Sequence, residues 1–248
     1  MYVDWFSDNI NYLGHLDQVY AKAQCTLELS GSIPLLSANG VLDLKKAHNP
    51  LLKIKNIGQK EAEPIVPLQL RMEPSERCLM ITGPNAGGKS VGMKTIGLST
   101  VMVQCGWGIP ADPNSEVPII TGWFVDMGDE QSIENDLSTF SSRLQWMRFA
   151  TEKAKKGALI LIDEAAAGTD PEEGGALFQS FIESMLDREA FLVVTTHHGS
   201  LKVFAHEHEK AVNGSMEFDQ AHLAPTYQFK KGVPGSSYAF DIAQRMRL

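Results

Sequence analysis

The chain has 248 residues, 43% of them hydrophobic, which is enough to bury a core as one large α/β domain or two small ones. It carries 30 acidic and 22 basic residues, for a net charge of −8, and this excess of negative charge argues against strong nucleic-acid binding by the chain alone. Its three cysteines, Cys25, Cys78 and Cys105, lie far apart in no zinc or disulfide pattern, which excludes a disulfide-rich secreted scaffold and favours a cytoplasmic protein.

Residues 4–24 are predicted to form an amphipathic helix. Apolar side chains recur there at steps of three and four residues: Phe6, Ile10, Leu13, Leu16 and Tyr20. Asp4 and Asp8 stand among the N-terminal aromatic residues, so the segment does not read as a signal peptide. Apolar runs elsewhere, such as residues 158–162, are too short to span a bilayer. No membrane partner is therefore predicted.

Residues 26–82 read as short strands separated by turn-forming residues. The interruptions are Gly31, Gly40, Pro50, Pro64 and Pro67, with a charged loop at residues 60–63. From residue 83 onward, helical and strand-like segments alternate, which is typical of a mostly parallel sheet flanked by helices. The sequence thus predicts an α/β fold with an N-terminal β-rich part.

A glycine-rich segment opens the alternating region and fits the pattern G-x-x-x-x-G-K-[ST] of nucleotide phosphate loops. Its residues are Gly83, Pro84, Asn85, Ala86, Gly87, Gly88, Lys89 and Ser90. An apolar, strand-like stretch at residues 78–81 precedes the loop, and residues 91–104 can follow it as a helix. These flanks favour a phosphate loop over the alternative, a glycine-rich turn before a surface lysine.

The chemistry of such a loop depends on backbone donors and on two side chains. Glycines let successive N–H groups face the phosphates, and the following helix presents its positive end to the same charge. Lys89 is then expected to reach the β- and γ-phosphates, and the Ser90 hydroxyl to bind Mg²⁺. The chain is therefore predicted to be a P-loop NTPase.

Ser138 precedes a helix-like stretch that reaches residue 155. A serine before a helix is an ordinary cap. The same arrangement also forms an anion site, because free N–H groups and a hydroxyl point outward together. Ser138 is therefore a candidate for contact with a phosphate.

Two carboxylates end the apolar run at residues 158–162. A continuous apolar run suits a central strand that is buried on both faces. Its end would place Asp163 and Glu164 in the crevice where open α/β sheets bind ligands. We expect Asp163 to hold the Mg²⁺ that Ser90 contacts, directly or through water, and Glu164 to polarise the attacking water. The alternative is a strand with a solvated acidic end.

Two later segments carry a helix start and a strand-end histidine. Asp170 as N-cap and Pro171 at the first helical position predict a helix, and local structure alone explains both residues. Residues 191–196 are predicted to form a strand that delivers His197 to the same crevice. His197 could contact the γ-phosphate or the attacking water, whereas a lone strand-end histidine is more often a hydrogen-bonded surface residue.

In combination, these segments resemble the ATPase domain of the MutS family. The matching residues are 82–90, 138–140, 163–164, 168–169 and 196–197. Further stretches resemble the second MutS subfamily, the one that lacks the mismatch-reading domain: residues 126–134, 168–171 and 232–240. The likeness covers nearly the whole chain.

The resemblance implies a P-loop NTPase fold of ABC/MutS type. Residues 1–24 are similar to the end of the lever helices that enter the ATPase core. Residues 25–248 would form the ATPase domain, with a β-rich part at residues 25–75 and a P-loop core at residues 76–248. An ABC-type head of this kind forms a homodimer with two ATP molecules at the interface between the ATPase faces.

The same resemblance assigns roles within that dimer. Ser138 would complete the partner's site, His197 would sense the γ-phosphate, and Asp170 would lie near the dimer seam. The adenine would rest near Ile65 and Val66, with Tyr227 as a candidate for stacking.

The implied function is Mg²⁺-dependent ATP hydrolysis that drives a MutS-like DNA repair or recombination protein, or a ribosome-handling one. The parts that encircle DNA are absent from this chain, so the domain alone is expected to bind DNA weakly or not at all. The family usually has a bulky apolar residue and then glycine after the two carboxylates, whereas this chain has Ala165, Ala166 and Ala167. We expect this departure to affect the rate of ATP hydrolysis more than the affinity for ATP.

Two other readings remain open. One is a nucleotide-dependent dimerisation switch with little turnover, which the three alanines would suit. The other is a transporter-type ATPase, whose Gly-Gly signature is replaced here by residues 138–140.

Overall fold

The computed structural model describes residues 2–59, 61–127, 136–166, 170–219, 222 and 224–235. Within these ranges the helices are α1 Tyr2–Glu28, α2 Pro50–Asn56, α3 Lys89–Gln104, α4 Asp136–Lys153, α5 Pro171–Asp187 and α6 Gly199–Glu207. The strands are β1 Leu35–Ser37, β2 Leu42–Ala47, β3 Leu68–Met72, β4 Cys78–Thr82, β5 Glu116–Pro118, β6 Trp123–Asp126, β7 Leu159–Ile162, β8 Phe191–Thr195, β9 Ala211–Asp219 and β10 Ala224–Lys231.

The larger sheet has the strand order β10-β9-β4-β8-β7-β6. Five strands of this sheet run parallel to one another: β9, β4, β8, β7 and β6. The sixth strand, β10, pairs with β9 in the antiparallel direction. Every residue of β4, β7 and β8 is buried, as expected for parallel strands covered on both faces. The prediction of a mixed α/β fold is confirmed, and the mostly parallel arrangement holds for this sheet except at β10.

The smaller sheet has the order β1-β5-β2-β3 and lies in the N-terminal part, which the sequence predicted to be β-rich. Strand β5 follows α3 along the chain and inserts between β1 and β2, so the core contributes a strand to this sheet. Two expectations were wrong. The first helix extends to Glu28 rather than ending near residue 24, and residues 50–56 form helix α2 instead of part of a strand.

The start of α2 explains the second error. The Asn49 side chain accepts hydrogen bonds from the backbone N–H groups of Leu51 and Leu52, at 3.0 and 3.2 Å. Pro50 occupies the first turn, where a proline loses no helical hydrogen bond. The proline that was read as an interruption between strands is therefore part of a helix start.

Helix α1 carries the predicted apolar residues along its length, but the described structure leaves them largely uncovered. The side chains that are more than half exposed include Phe6, Ile10, Leu13, Leu16 and Tyr20. Near its C-terminal end the helix contacts the core, where Thr26 Oγ1 accepts a hydrogen bond from Gly108 N at 3.0 Å. Within the described ranges, none of the helices combines the length and the apolar character needed to cross a membrane.

The core has two layers, one on each face of the larger sheet. One layer packs α4, α5 and α6 around the fully buried Phe178, and the other packs α3 and the smaller sheet around Met93 and Ile96. Helix α5 begins as the sequence predicted, because Asp170 accepts hydrogen bonds from Glu172 N and Glu173 N at 2.9 and 3.2 Å. The two layers hold the C-terminal ends of β4, β7 and β8 at one edge of the sheet.

Candidate functional site

The glycine-rich loop lies between β4 and α3, at the carboxyl edge of the larger sheet. It contains a single 3₁₀ turn, Asn85–Gly87, and then Gly88 with φ +92°. That left-handed conformation is costly for a residue with a Cβ atom, and it directs the chain from the loop into the first turn of α3. Lys89 and Ser90 are the first two residues of this helix, and Ser90 is half-buried.

Lys89 is held inside the loop rather than in solvent. Its Nζ atom donates to the carbonyl oxygens of Gly83 and Pro84 at 3.0 and 3.1 Å, and lies 3.0 Å from His197 Nε2. The residue is only 2% exposed. Burial lowers the pKa of Lys89 to about 8, although the charges of Glu164 and Asp163 act in the opposite direction.

His197 lies beside this ammonium group at the end of β8. Burial lowers the pKa of His197, and the positive charge of Lys89 lowers it further. A neutral imidazole is therefore favoured, with Nε2 accepting from Lys89. Of the residues proposed from the sequence, Lys89 and His197 are thus in direct contact, although they are 108 positions apart in the chain.

The depressed pKa of Lys89 leads to a calorimetric prediction. At pH 8 about half of the Lys89 side chains should be neutral, and bound phosphates should raise the pKa because they stabilise the charged form. The family resemblance implies ATP as the ligand, so ATP binding at pH 8 is expected to take up about half a proton through Lys89. The uptake should fall towards zero at about pH 6.5, where the group is already charged. Isothermal titration calorimetry in buffers of different ionisation enthalpy measures this uptake.

The matched control is Lys89→Arg, which stays charged across this range. The proton uptake on ATP binding at pH 8 should be smaller in this variant than in the parent by about half a proton, which is the contribution of Lys89. Equal proton uptake by the parent and by Lys89→Arg would show that Lys89 is already fully charged before ATP binds.

Asp163 and Glu164 follow β7 in a tight turn. Thr195 Oγ1, at the end of β8, donates to Asp163 Oδ1 at 2.5 Å and accepts from Glu164 N at 2.8 Å. Two residues of the turn have left-handed backbones without being glycine: Glu164 with φ +52° and Ala166 with φ +67°. The resemblance described above led us to expect glycine at the position of Ala166, and a left-handed backbone is the conformation that glycine adopts without strain.

A second side chain holds the same turn from α4. Arg143 donates through Nη2 to Asp163 O at 2.7 Å and through Nη1 to Glu164 O at 3.0 Å. Its Nε atom donates to Asp126 Oδ2 at 2.7 Å. Sequence reasoning missed both Arg143 and Thr195, because no local pattern marks either residue as a partner of the carboxylates.

A cavity of about 280 Å³ opens beside the loop. Ile65, Val66 and Tyr227, which the resemblance placed near the adenine, all line this cavity together with Gly88 and Met216. Tyr227 lies in β10 with φ +58°, at an irregularity in the pairing of β10 with β9. Segments that are distant in sequence therefore form one pocket that adjoins the glycine-rich loop.

The segment after β10 packs on the start of the loop. Gly235 N donates to Thr82 Oγ1 at 2.6 Å, and Lys202 Nζ donates to Gly235 O at 3.0 Å. A Cβ atom at Gly235 would lie 2.8 Å from Gly83 N, closer than van der Waals contact allows. Burial lowers the pKa of Lys202. This contact gives residues 232–235 a structural role that the sequence did not reveal.

Several candidate residues lie outside what the structure describes. The backbone of Ser138 lies within α4, whose described part begins at Asp136, so the prediction that Ser138 precedes this helix as a cap was wrong. The side chains of Ser138 and Asn85 are not described. Three segments that contributed to the family resemblance are also outside the described ranges: 128–134, 168–169 and 236–240. Ala167, the last of the three alanines that depart from the family pattern, lies outside them as well. Asp170 is described and its carboxylate caps α5.

Comparison with known proteins gives one family and a consistent set of relatives. The family model described as MutS domain V matches residues 79–248. The chain is 44% identical over 236 residues to the protein named Endonuclease MutS2 of Carboxydothermus hydrogenoformans, covering 95% of this chain and 29% of the relative.

Two other relatives carry the same name. The Clostridium kluyveri protein is 42% identical over 241 residues, which cover 97% of this chain and 30% of the relative. The Brevibacillus brevis protein is 40% identical over 246 residues, with 99% and 30% covered. The chain therefore spans less than a third of the length of the curated relatives it matches.

Proposed function

The chain belongs to the MutS family, as a MutS2-like member with that family's ATPase domain, and we propose that it binds ATP with Mg²⁺ and hydrolyses it as half of a head-to-tail dimer. One observation carries this proposal. The ends of β4, β7 and β8 bring Lys89, the turn at Asp163 and Glu164, and His197 to one edge of the sheet. P-loop NTPases use a loop lysine, a carboxylate that holds Mg²⁺ and a residue that positions the attacking water, and Lys89, Asp163 and Glu164 suit these three roles.

The proposed roles follow from the chemistry of each group. Lys89 and the loop N–H groups bind the β- and γ-phosphates, and His197 contacts the γ-phosphate. Glu164 orients and polarises the attacking water. Catalysis of this kind consists mainly of positioning and of charge stabilisation, so small displacements of these side chains lower the rate.

The residues present suit Mg²⁺ as the metal. Ser90 and Asp163 supply a hydroxyl and a carboxylate oxygen, which are the hard donors that Mg²⁺ prefers. When bound, Mg²⁺ neutralises charge that develops on the phosphates. The hydrogen bond from Thr195 Oγ1 to Asp163 Oδ1 at 2.5 Å fixes one carboxylate oxygen and leaves the other available to the metal or its water.

The cavity beside Gly88 is the proposed adenine site. Ile65 and Val66 offer an apolar wall, and Tyr227 offers an aromatic face. The cavity adjoins the loop, as a base must when the phosphates of the same nucleotide occupy that loop.

We propose that the homodimer forms through the ATPase face, with Ser138 of one protomer completing the site of the other. Residues 1–24 would be the end of a lever-type helix and residues 25–248 the ATPase domain. The exposed apolar side chains along α1 support this proposal, because in a lever they would pack against other helices. The ATPase cycle would move DNA-handling or ribosome-handling parts that lie outside this chain, and the acidic net charge supports weak or no DNA binding by the domain itself.

The dependence of turnover on protein concentration tests the dimer. If each site needs Ser138 from a partner, phosphate release per protomer should rise from nanomolar to tens of micromolar protein and then saturate. The physical reason is that the composite site exists only in the associated state. A flat, non-zero rate would contradict a composite site.

Complementation provides the control. Ser138→Ala and Glu164→Gln should each be inactive alone, because each removes one half of every composite site. In a mixed dimer, one site has both normal residues and the other has neither. An equal mixture should therefore recover about a quarter of the parent rate, since half of the random dimers are mixed and each has one intact site.

The alternative is a nucleotide-dependent dimerisation switch with little turnover. The observation in its favour is the strained turn after β7, where Ala166 takes a left-handed backbone with φ +67°. ATP-dependent dimerisation without phosphate release at any protein concentration would favour this alternative.

A further inference from the structure

We infer that Arg143 is a positioning residue that fixes the turn carrying Asp163 and Glu164 and links this turn mechanically to α4, the helix that contains Ser138. The inference rests on the proposed function, because it assigns these carboxylates to Mg²⁺ and to the attacking water. Arg143 donates to the Asp126 carboxylate and to the backbone of the turn. It acts through the backbone of the turn.

The contacts of Arg143 use the planar geometry of the guanidinium group. Two terminal nitrogens donate to the carbonyl oxygens of consecutive residues, Asp163 and Glu164, at 2.7 and 3.0 Å. The third nitrogen donates to the Asp126 carboxylate at 2.7 Å, and both side chains of this ion pair are at most 15% exposed. Lysine cannot reproduce this pattern, since a single ammonium group lacks the flat fork.

The turn requires such a support because its backbone is strained. Glu164 and Ala166 both have left-handed conformations, with φ +52° and +67°. Conformations of this kind in residues other than glycine persist only where the surroundings enforce them. Thr195 holds the turn from the side of β8 through Glu164 N, and Arg143 holds it from the side of α4 through the carbonyl oxygen of the same residue.

The position of Arg143 also connects three elements. Asp126 ends β6, and its carbonyl oxygen accepts from Asp163 N at 2.8 Å. Arg143 therefore joins α4 to the ends of β6 and β7 at once. Ser138 is five positions earlier on the same helix, a rise of about 7.5 Å. A shift of α4 on dimerisation would reach the turn at Asp163 and Glu164 through the Arg143 side chain.

A purely structural role is the competing explanation, since removing one partner of a buried ion pair destabilises a protein in any case. The two roles differ in what they change. Loss of a structural contact lowers the thermal midpoint and weakens ATP binding with or without metal. Loss of a positioning contact reduces the gain in ATP affinity that Mg²⁺ provides, and it reduces the turnover of the saturated enzyme.

The test compares Arg143→Lys with Arg148→Lys. Lysine keeps a positive charge beside Asp126 but cannot hold both carbonyl oxygens. Arg148 lies on the same helix, pairs with the exposed Glu152 and is 82% exposed, so the same substitution there controls for replacing an arginine with a lysine on α4. For each protein we would measure ATP affinity in EDTA, ATP affinity in Mg²⁺, the saturated rate of phosphate release and the thermal midpoint.

Arg143→Lys is expected to bind ATP in EDTA within about threefold of the parent, to lose most of the Mg²⁺-dependent gain in affinity and to turn over about 100-fold more slowly. Arg148→Lys should match the parent in all four measurements. Parent-like turnover and parent-like Mg²⁺ dependence in a folded Arg143→Lys protein would overturn the inference.

A second variant allows the test to proceed if Arg143→Lys does not fold. Should Arg143→Lys fail to fold, the double variant Arg143→Met with Asp126→Leu removes the pair without leaving a buried charge. Slow turnover and a reduced Mg²⁺-dependent gain in ATP affinity would then support the inference, and parent-like values of both would overturn it. Should the parent bind Mg·ATP without turning it over, the proposed ATPase function fails by itself. The Mg²⁺ dependence of ATP affinity still reports on Arg143 in that case.

Discussion

Glu164→Gln is expected to keep ATP binding and to lower the saturated rate of phosphate release by about 10²- to 10⁴-fold, the usual contribution of a general base. The substitution replaces a carboxylate with an amide of the same shape. The backbone hydrogen bonds of residue 164 to Thr195 and Arg143 do not involve the side chain, so the turn should keep its geometry. The amide cannot accept a proton from the attacking water.

Single-turnover and steady-state phosphate release, together with the affinity for ATP, measure this effect. The control is Glu173→Gln, which makes the same chemical change at an exposed position in the first turn of α5. The control should behave as the parent does. Turnover of Glu164→Gln at the parent rate would show that another group activates the water.

Gly235→Val is expected to weaken ATP binding by about tenfold or more. The closest atom to a Cβ at this position is Gly83 N, at 2.8 Å, and Gly83 Cα follows at 2.9 Å. Both atoms are backbone atoms at the start of the phosphate loop, so they cannot turn aside as a flexible side chain could. Either the loop is displaced, or residues 232–235 move away and Thr82 Oγ1 loses the donor Gly235 N.

Gly14→Val is the matched control, because no atom lies within 4 Å of a Cβ built at Gly14 in α1. Fluorescent-nucleotide titration gives both affinities, and circular dichroism checks that each variant is folded. An unchanged affinity in a folded Gly235→Val protein would mean that residues 232–235 do not constrain the loop.

The sequence could predict the parts of the site that depend on local patterns. The loop between β4 and α3 has a strand, a glycine-rich turn and a helix in an unbroken run, so spacing alone locates Lys89 and Ser90. The start of α5 is similarly local, since Asp170 caps a helix whose first residue is proline. Apolar runs also identified β7 and β8, because strands that are covered on both faces contain few polar residues.

The remaining contacts depend on tertiary structure and left no local signal. Thr195 and Asp163 are 32 positions apart, and Gly235 and Thr82 are 153 apart. Arg143 looked like an ordinary polar residue on a helix, because nothing in its neighbourhood shows that its side chain turns towards β7. The boundary error at α2 has a different origin, since a proline can mark a helix start as well as a strand break.

The left-handed backbone of Ala166 has a consequence for mutational tolerance. A Cβ in this conformation costs roughly 1–2 kcal/mol in the folded chain, while alanine has fewer unfolded conformations to lose than glycine, which returns about 0.4–1 kcal/mol. The shape of the turn is therefore maintained by native hydrogen bonds and not by backbone freedom. With glycine at this position, we expect the turn to tolerate the loss of one supporting side chain. With alanine there, we expect substitution of either Arg143 or Thr195 to disturb the turn, so fewer neutral substitutions should be open to the protein around Asp163 and Glu164.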